Sequence, residues 1–412
     1  MRIKEICDFV SRGTTPEYVD DSPFKVMNQA TFSKGWLDES NIRFTSKPAY
    51  DAQITKGDLL MASTGGGVLG KVFYFDKDDT CFYADSHVSI LRNSKGKHLM
   101  KFLYYYFLIR YEEINATMVK GSTNQTELQR NYLLAYEINM PSLSAQQKMV
   151  DYLDEKTSAI DTQVELLEKK KDAYTRLKKA VINRAVTRGL DEHVKLKDSG
   201  VEWIGMIPEH WEVKRLKDIS ELNPQYKGDG NEGVVSFLPM EGLRLDALEL
   251  QEIAFSEGKG KYTFFEDGDL LVAKVTPCFE NGNIAIAKQL INGIGFGSSE
   301  IFVLRLNINV SVRYMFYYVQ TSSFQDEACT TMCGVGGLKR ISPLFMRKRM
   351  VSLPPYNEQQ SIAAYLDEKC AKIDAAIANI DKQTDALKRL KRSLINEVIS
   401  GKRMIEYDSS LP

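Results

Sequence analysis

The chain has 412 residues, which at roughly 150 per domain means two to three domains. With 43% hydrophobic and 26% charged residues it has the balance of a folded protein, not of a disordered one. Its net charge of −1 excludes a protein that holds nucleic acid by bulk charge alone, so any grip on phosphates must come from local patches or from partners.

Residues 1–143 make a first block. Strand-like runs at 58–63, 71–75 and 87–91 are separated by turns such as Gly65-Gly66-Gly67. A helix follows, with Phe102, Tyr104, Tyr105, Tyr106 and Phe107 read as core. Residues 144–190 then read as one long helix. Ser144 and Gln147 have the spacing of a capping box, and neither proline nor glycine intervenes before Gly189. Leu153, Ile160, Leu167, Tyr174 and Val181 recur at seven-residue intervals. A linker at 191–213 carries Trp203 and Trp211, which are expected to pin it to the frame.

Residues 214–356 repeat the first plan, with strand-like runs at 269–273, 284–287 and 300–304 and a helix holding Tyr314, Phe316, Tyr317 and Tyr318. Residues 357–403 form the second long helix, opened by Asn357 and Gln360 and lined by Leu366, Ile373, Ile380, Leu387 and Leu394. A tail at 404–412 follows. A second, patchier apolar column includes Val164, Leu177, Ile377 and Leu390. A seven-residue period means helices wound on each other, and about 40 residues at ~1.5 Å each make a rod near 60 Å. The two helices are expected to pair with each other, antiparallel. Their basic residues, Lys169, Lys170, Lys171, Arg176, Lys178, Lys179, Lys388, Arg389, Lys391 and Arg392, read as a solvated face or as a surface for phosphates or a partner.

The two halves are copies. A shift of 213 residues places 141–183 on 354–396 with 18 identities in 43 positions, among them Gln146/Gln359, Tyr152/Tyr365, Asp154/Asp367 and Asn183/Asn396. The shift also pairs Arg2-Ile3-Lys4-Glu5-Ile6 with Arg215-Leu216-Lys217-Asp218-Ile219, Leu91-Arg92 with Leu304-Arg305, and Tyr104-Tyr105 with Tyr317-Tyr318. A slightly smaller shift aligns Gly57-Asp58-Leu59-Leu60 with Gly268-Asp269-Leu270-Leu271. A unit this long is a duplicated domain, not a solenoid repeat, and a duplicated chain tends to a pseudo-twofold arrangement.

Chemistry is nearly spelled out in places, and fails. Gly65, Gly70 and Lys71 have P-loop spacing, but Val72 stands where a hydroxyl must hold magnesium. Leu353-Pro354-Pro355-Tyr356 lacks the side-chain acceptor of the amino-methyltransferase motif. Gly293, Gly295 and Gly297 lead into a strand, not a helix. Asp58 and Asp269 are explained by turns into strands rather than as metal ligands. Cys7, Cys81, Cys278, Cys329, Cys333 and Cys370 make no CxxC pair and read as free thiols. No segment has the ~18 uninterrupted apolar residues of a membrane span, and no secretory signal is seen. The expectation is a cytoplasmic binder without its own catalysis.

Two segments carry a specific resemblance. The repeated Gln-Gln, Tyr-Leu-Asp-Glu-Lys and Ile-Asp elements, and the linker 199–211 (SGVEWIGMIPEHW), are similar to those of the DNA specificity subunit of type I restriction-modification systems. The resemblance covers nearly the whole chain. It implies a mixed α/β fold in which two globular target recognition domains are joined by two long antiparallel coiled-coil helices with pseudo-twofold symmetry. It also implies that each recognition domain reads half of a bipartite, asymmetric site in double-stranded DNA, and that the helices set the gap and dock two methylation subunits and, through them, the restriction subunits. S-adenosylmethionine, ATP and Mg are then expected on those partners and no cofactor in this chain. The alternative is a DNA methyltransferase carrying its own recognition domains.

Base reading needs Arg or Lys for guanine and Asn or Gln for adenine, with hydroxyls suiting either. Loop residues of those types are the DNA-binding candidates. In the first block they are Arg12, Thr14, Thr15, Asn28, Gln29, Ser63, Thr64, Lys71, Lys120, Asn124 and Gln125. In the second they are Lys227, Lys274, Thr276, Asn281, Ser298, Ser299, Lys339 and Arg340.

Overall fold

The computed structural model describes residues 1–120, 126–228, 233–334 and 337–403, with only the backbone of Val119 and Lys120. Its contacts divide the chain into two units. The first holds residues 1–167 together with the chain from Lys382 onward, and the second holds 168–381.

The first unit has two four-stranded sheets. Its strands are β1 (Phe9–Arg12), β2 (Tyr18–Val19), β3 (Lys25–Met27), β4 (Arg43–Thr45), β5 (Leu59–Ala62), β6 (Val72–Tyr74), β7 (Phe82–Ala84) and β8 (Val88–Arg92). One sheet is antiparallel, ordered β1-β8-β5-β6; the other is ordered β2-β4-β3-β7, with β3 and β7 parallel. All four residues of β5 are buried, as the unbroken run Leu-Leu-Met-Ala requires of a strand covered on both faces. Helix α1 (Met100–Leu108) packs its aromatics beneath this sheet.

The second unit repeats the plan. Its strands are β9 (Ser220–Leu222), β10 (Val234–Leu238), β11 (Gln251–Ala254), β12 (Thr263–Glu266), β13 (Leu270–Ala273), β14 (Ile284–Ile286), β15 (Ile294–Gly297) and β16 (Ile301–Leu306). The antiparallel sheet is β9-β16-β13-β14, and the mixed sheet β11-β10-β15-β12 again has a parallel pair, β10 with β15. The equivalent bracing helix, which carries Tyr314 to Tyr318, follows β16. In both units the turn aspartate is buried in an ion pair on the same sheet position: Asp58 with Arg92 at 2.6 Å, Asp269 with Arg305 at 2.7 Å. These carboxylates also accept backbone N–H groups of their own turns, Thr55 and Glu266. They are structural.

Two long helices complete the cores, α2 (Leu143–Arg188, 46 residues) and α3 (Tyr356–Ile399, 44 residues). Both start two residues earlier than the capping boxes would place them. Ser142, not Ser144, accepts the Ala145 N–H, and Asn357 lies inside its helix behind Pro354-Pro355. The first unit takes the first half of α2 and the last half of α3. There Val150, Leu153 and Ile160 share a core with Leu394, Ile395 and Val398, and Val164 and Leu387 pack at its edge. In the second unit Ile182, Ala185 and Val186 share a core with Ile362, Leu366 and Cys370, with Val181 at the edge. Ile373 and Ile380 are buried, and Leu167 and Tyr174 half-buried. Leu177 and Leu390 of the second apolar column stand 48% and 55% exposed, because heptad spacing drifts against the 3.6-residue turn and carries them off the seam.

Part of the basic face is consumed in the pairing. Lys178 meets Asp374 at 2.7 Å and Lys171 meets Asp381 at 2.6 Å in the second unit; Lys391 meets Asp161 at 2.6 Å in the first. The repeat shift carries Lys178 onto Lys391 and Asp161 onto Asp374, so the duplicated residues make the duplicated bridge in the same antiparallel register.

Candidate nucleic-acid interface

The repeated motifs anchor each long helix to its own sheets. Gln146 is fully buried; its Oε1 accepts Leu99 N–H at 2.9 Å and its Nε2 donates to the Pro141 carbonyl at 2.8 Å. Gln359 does the same for Ser311 N–H at 2.7 Å and the Pro354 carbonyl at 2.9 Å. Asp154 accepts from Lys101 and from the Tyr105 hydroxyl, and Asp367 from Arg313 and the Tyr317 hydroxyl. Burial pushes both phenols well above their ordinary value. By these contacts Tyr105, not Tyr104, is the counterpart of Tyr317, a one-residue correction to the sequence register.

The linker is locked into the second unit. Trp211 is completely buried, and Glu358 of α3 accepts its indole N–H at 3.1 Å and meets His210 at 2.7 Å. Strand Glu212–Arg215 pairs with Met350–Leu353. Gly189 ends α2 with φ +74°, and a Cβ there would press on Trp211 and Glu358. Trp203 is 44% exposed and stacks with the buried Arg349 guanidinium at 5.3 Å.

These anchors fix which end of each double sheet is free to carry loops. In the first unit β1, β3, β5 and β7 end there, while β6 and β8 begin there, as the pairs Arg12↔Ser89, Ala62↔Val88 and Met27↔Ala84 show. Arg12, the last residue of β1, donates to the Ser86 carbonyl and is ion-paired with Glu127. Thr14 bridges to Asp85, Thr15 is exposed, and the Thr64 hydroxyl meets His87 Nδ1 at 2.6 Å. Asn28 caps a short turn by accepting Ala30 N–H and Thr31 N–H. The half-buried Gln29 follows it, its Oε1 buried without a hydrogen-bond partner. Lys71 donates to the Ser33 carbonyl at 2.8 Å. Ser63 is 1% exposed and bonded to Ser89 at 2.6 Å, which removes it from the residues available to a base edge. Lys120 has a backbone position in a short strand pairing with Glu127, and Asn124 and Gln125 lie outside the described residues.

The second unit presents the same end. Lys274 follows β13, and Ser298 and Ser299 follow β15. Asn281, exposed, precedes β14, and Lys227, exposed, lies beyond β9. Arg340 is held by Glu300 through bonds of 2.9 to 3.1 Å. Lys339 is exposed, and its backbone N–H donates to the Thr276 hydroxyl at 2.9 Å. Thr276 also donates to the Gly337 carbonyl; it is buried and serves as a strut. Sequence reasoning missed the carboxylates Glu127 and Glu300 that hold the two arginines, because neither is near its partner along the chain. It also missed Arg130, which donates twice to the Val10 carbonyl.

Among the described residues no group of three or more His, Cys, Asp or Glu side chains is placed to hold a metal ion, and no helix is long and apolar enough to cross a membrane.

Two double-sheet domains of one plan, each running into a long helix and carrying polar loops at one sheet end, define a duplicated, helix-braced α/β protein. A family model described as the type I restriction modification DNA specificity domain matches residues 1–173 and again 208–388, and the chain belongs to that family. It is 34% identical over 160 residues to the type I restriction enzyme EcoEI specificity subunit of Escherichia coli, covering 38% of this chain and 27% of the relative. It is 29% identical over 204 residues to the EcoAI specificity subunit of the same organism, covering 48% of this chain and 35% of the relative, so these matches span about a third of each relative's length. Over nearly its whole length, 97% of this chain and 92% of the relative, it is 22% identical to the putative MjaX specificity subunit of Methanocaldococcus jannaschii. A chain from a structure of type I R-M complex assembly and conformational transition shares the fold, with TM-score 0.71 at 15% identity over 97% of this chain and 96% of that one. The HsdS subunit from Thermoanaerobacter tengcongensis gives TM-score 0.50 at 15% identity, with 98% and 96% covered. The family match lends the methyltransferase alternative no support.

Proposed function

We propose that this chain is the non-catalytic DNA specificity subunit of a type I restriction-modification complex working in the cytoplasm. Each unit reads one half of a bipartite, asymmetric site in the major groove. The observation that carries this reading is the shared plan with unshared chemistry: two like sheet ends, one offering Arg12, Thr14, Thr15, Gln29 and Lys71, the other Lys274, Ser298, Ser299, Lys339 and Arg340. Like frames with unlike readers give an asymmetric site. Helices of 46 and 44 residues, rigid at ~1.5 Å per residue, set the unread gap, since half-site spacing follows protein geometry. Two methylation subunits and the restriction subunits dock on this frame. They bring S-adenosylmethionine, ATP and Mg, and their contacts with the duplex supply positive charge that a chain of net charge −1 lacks.

Methylome sequencing of a host carrying the full system, with and without this chain, tests the proposal. One asymmetric two-part motif should be methylated only when the chain is present. Methyl transfer to DNA by the purified chain alone would reject a non-catalytic role.

A further inference from the structure

We propose that Lys259 and Lys261 form a phosphate clamp beside the reading loops of the second unit, gripping the backbone of the DNA whose bases those loops contact. This rests on the DNA-reading function above. The two lysines flank Gly260 in the loop between a short helix, Phe255–Gly258, and β12. They line a cleft of about 420 Å³ with Asn223, Gln225, Tyr226 and Ser299.

The sheet register places this cleft on the reading end. Thr263, the first residue of β12, faces Gly297, the last of β15. From there the chain passes through Ser298 and Ser299 to Ile301, which faces Ala273, the residue before Lys274. Ser299 thus belongs both to the cleft and to the connection that carries Glu300, whose carbonyl accepts Lys274 N–H and whose carboxylate holds Arg340. A duplex on the reading loops lies against the cleft.

Charge accounting separates these lysines from the part-buried, paired arginines of the same unit. Arg305 is spent on Glu266 and Asp269, and Arg313 on Asp246 and Asp367. Lys259 and Lys261 are exposed and, among the described residues, have no carboxylate partner. The Lys259 ammonium lies 5.4 Å from the Tyr226 ring centroid and 5.6 Å from that of Phe255, contacts that orient a cation without neutralising it. An ammonium on a flexible stem suits a phosphate better than a base edge, where a planar fork is favoured.

The test uses the assembled complex with its methylation partners, comparing wild type with Lys259→Gln/Lys261→Gln on the target duplex and on a scrambled duplex across a salt series. The slope of log K against log salt should fall by about 1.8, at ~0.9 per lost phosphate contact, so the wild-type advantage shrinks about 12-fold between 50 and 200 mM salt. Both duplexes should lose the same factor, the methylated motif should not change, and Lys259→Arg/Lys261→Arg should restore the slope. An unchanged slope overturns the clamp. So does a loss confined to the target duplex, which would mean base reading, or a loss that arginine does not rescue, which would mean a structural role. A wild-type complex with no preference between the duplexes would sink the DNA-reading function itself, and is distinguishable from each of these.

Discussion

Replacing Gln359 by leucine is the sharpest test of how the helices are held. Gln359 is 1% exposed and serves three backbone groups, the Ser311 N–H at 2.7 Å, the Pro354 carbonyl at 2.9 Å and, more loosely, the Asn309 carbonyl at 3.3 Å. Leucine fills the space and satisfies none of them. A buried backbone group left unpaired costs about 1–3 kcal/mol, so loss of the two shorter bonds alone costs about 2–4 kcal/mol after partial relaxation. For a unit of this size about 3 kcal/mol lowers the melting temperature by about 6–12 °C, read by calorimetry on the full chain. Gln146→Leu should cost as much in the first unit, where the bonds are 2.9 and 2.8 Å. Gln360, the next residue, is exposed, and Gln360→Leu should stay within about 0.5 kcal/mol. If Gln359→Leu is equally silent, or Gln360→Leu equally costly, the anchoring argument is wrong.

On the helix seam, Val398→Asp puts a charge at a fully buried site and should cost at least about 3 kcal/mol, whereas Leu177→Ala and Leu390→Ala, on exposed positions, should change stability by less than about 0.5 kcal/mol in denaturant titrations. Alkylation of the native chain at pH 8 should mark Cys333, which is exposed, while Cys7, buried with its thiol pushed up to about 12, and Cys370, also raised by burial, stay unmodified until denaturant is added; mass spectrometry reads the order. Burial raises Tyr104 to about 12 and Tyr105, Tyr314, Tyr317 and Tyr318 upward as well. A raised folded value means the unfolded chain ionises first, so this stability is complete below pH 10 and is lost as pH climbs from 10 toward 12 and beyond. Ultraviolet titration should show these phenols ionising only together with loss of the fold, and early smooth ionisation of all 20 tyrosines would contradict their burial.

The duplication, the long helices and the principal strands were legible because each writes a periodic or repeated signal. The turn Asp58-Leu59-Leu60 and its copy could be placed from apolar runs alone. What could not be read were partnerships between distant residues. Nothing near Arg12 announces Glu127, and nothing near Arg340 announces Glu300, since only the folded sheet ends bring them together. Tyr104 and Tyr105 are adjacent and chemically alike, so which one faces Asp154 depends on a helical phase that identity counting does not resolve. Ser63 and Thr276 have the right chemistry for DNA, but burial, which the sequence does not print, spends their hydroxyls inside the protein. Lys259 and Lys261 are not among the candidates drawn from the sequence, because only the register of β12 against β15 brings them to the reading end.

The core of the first unit joins Ile3, Leu59 and Leu153 to Leu394, Ile395 and Val398. A nascent chain leaving the ribosome therefore cannot finish its first unit first. The apolar flank of α2 around Val150 and Ile160 must wait, uncovered, until the second unit and nearly all of α3 have been translated, whereas the second unit already holds all its parts by residue 381. Synthesis thus runs opposite to the order of completion. A premature stop anywhere in the last turns of α3 would spare the later-made unit and leave the earlier-made one unsealed, a target for chaperones and proteases.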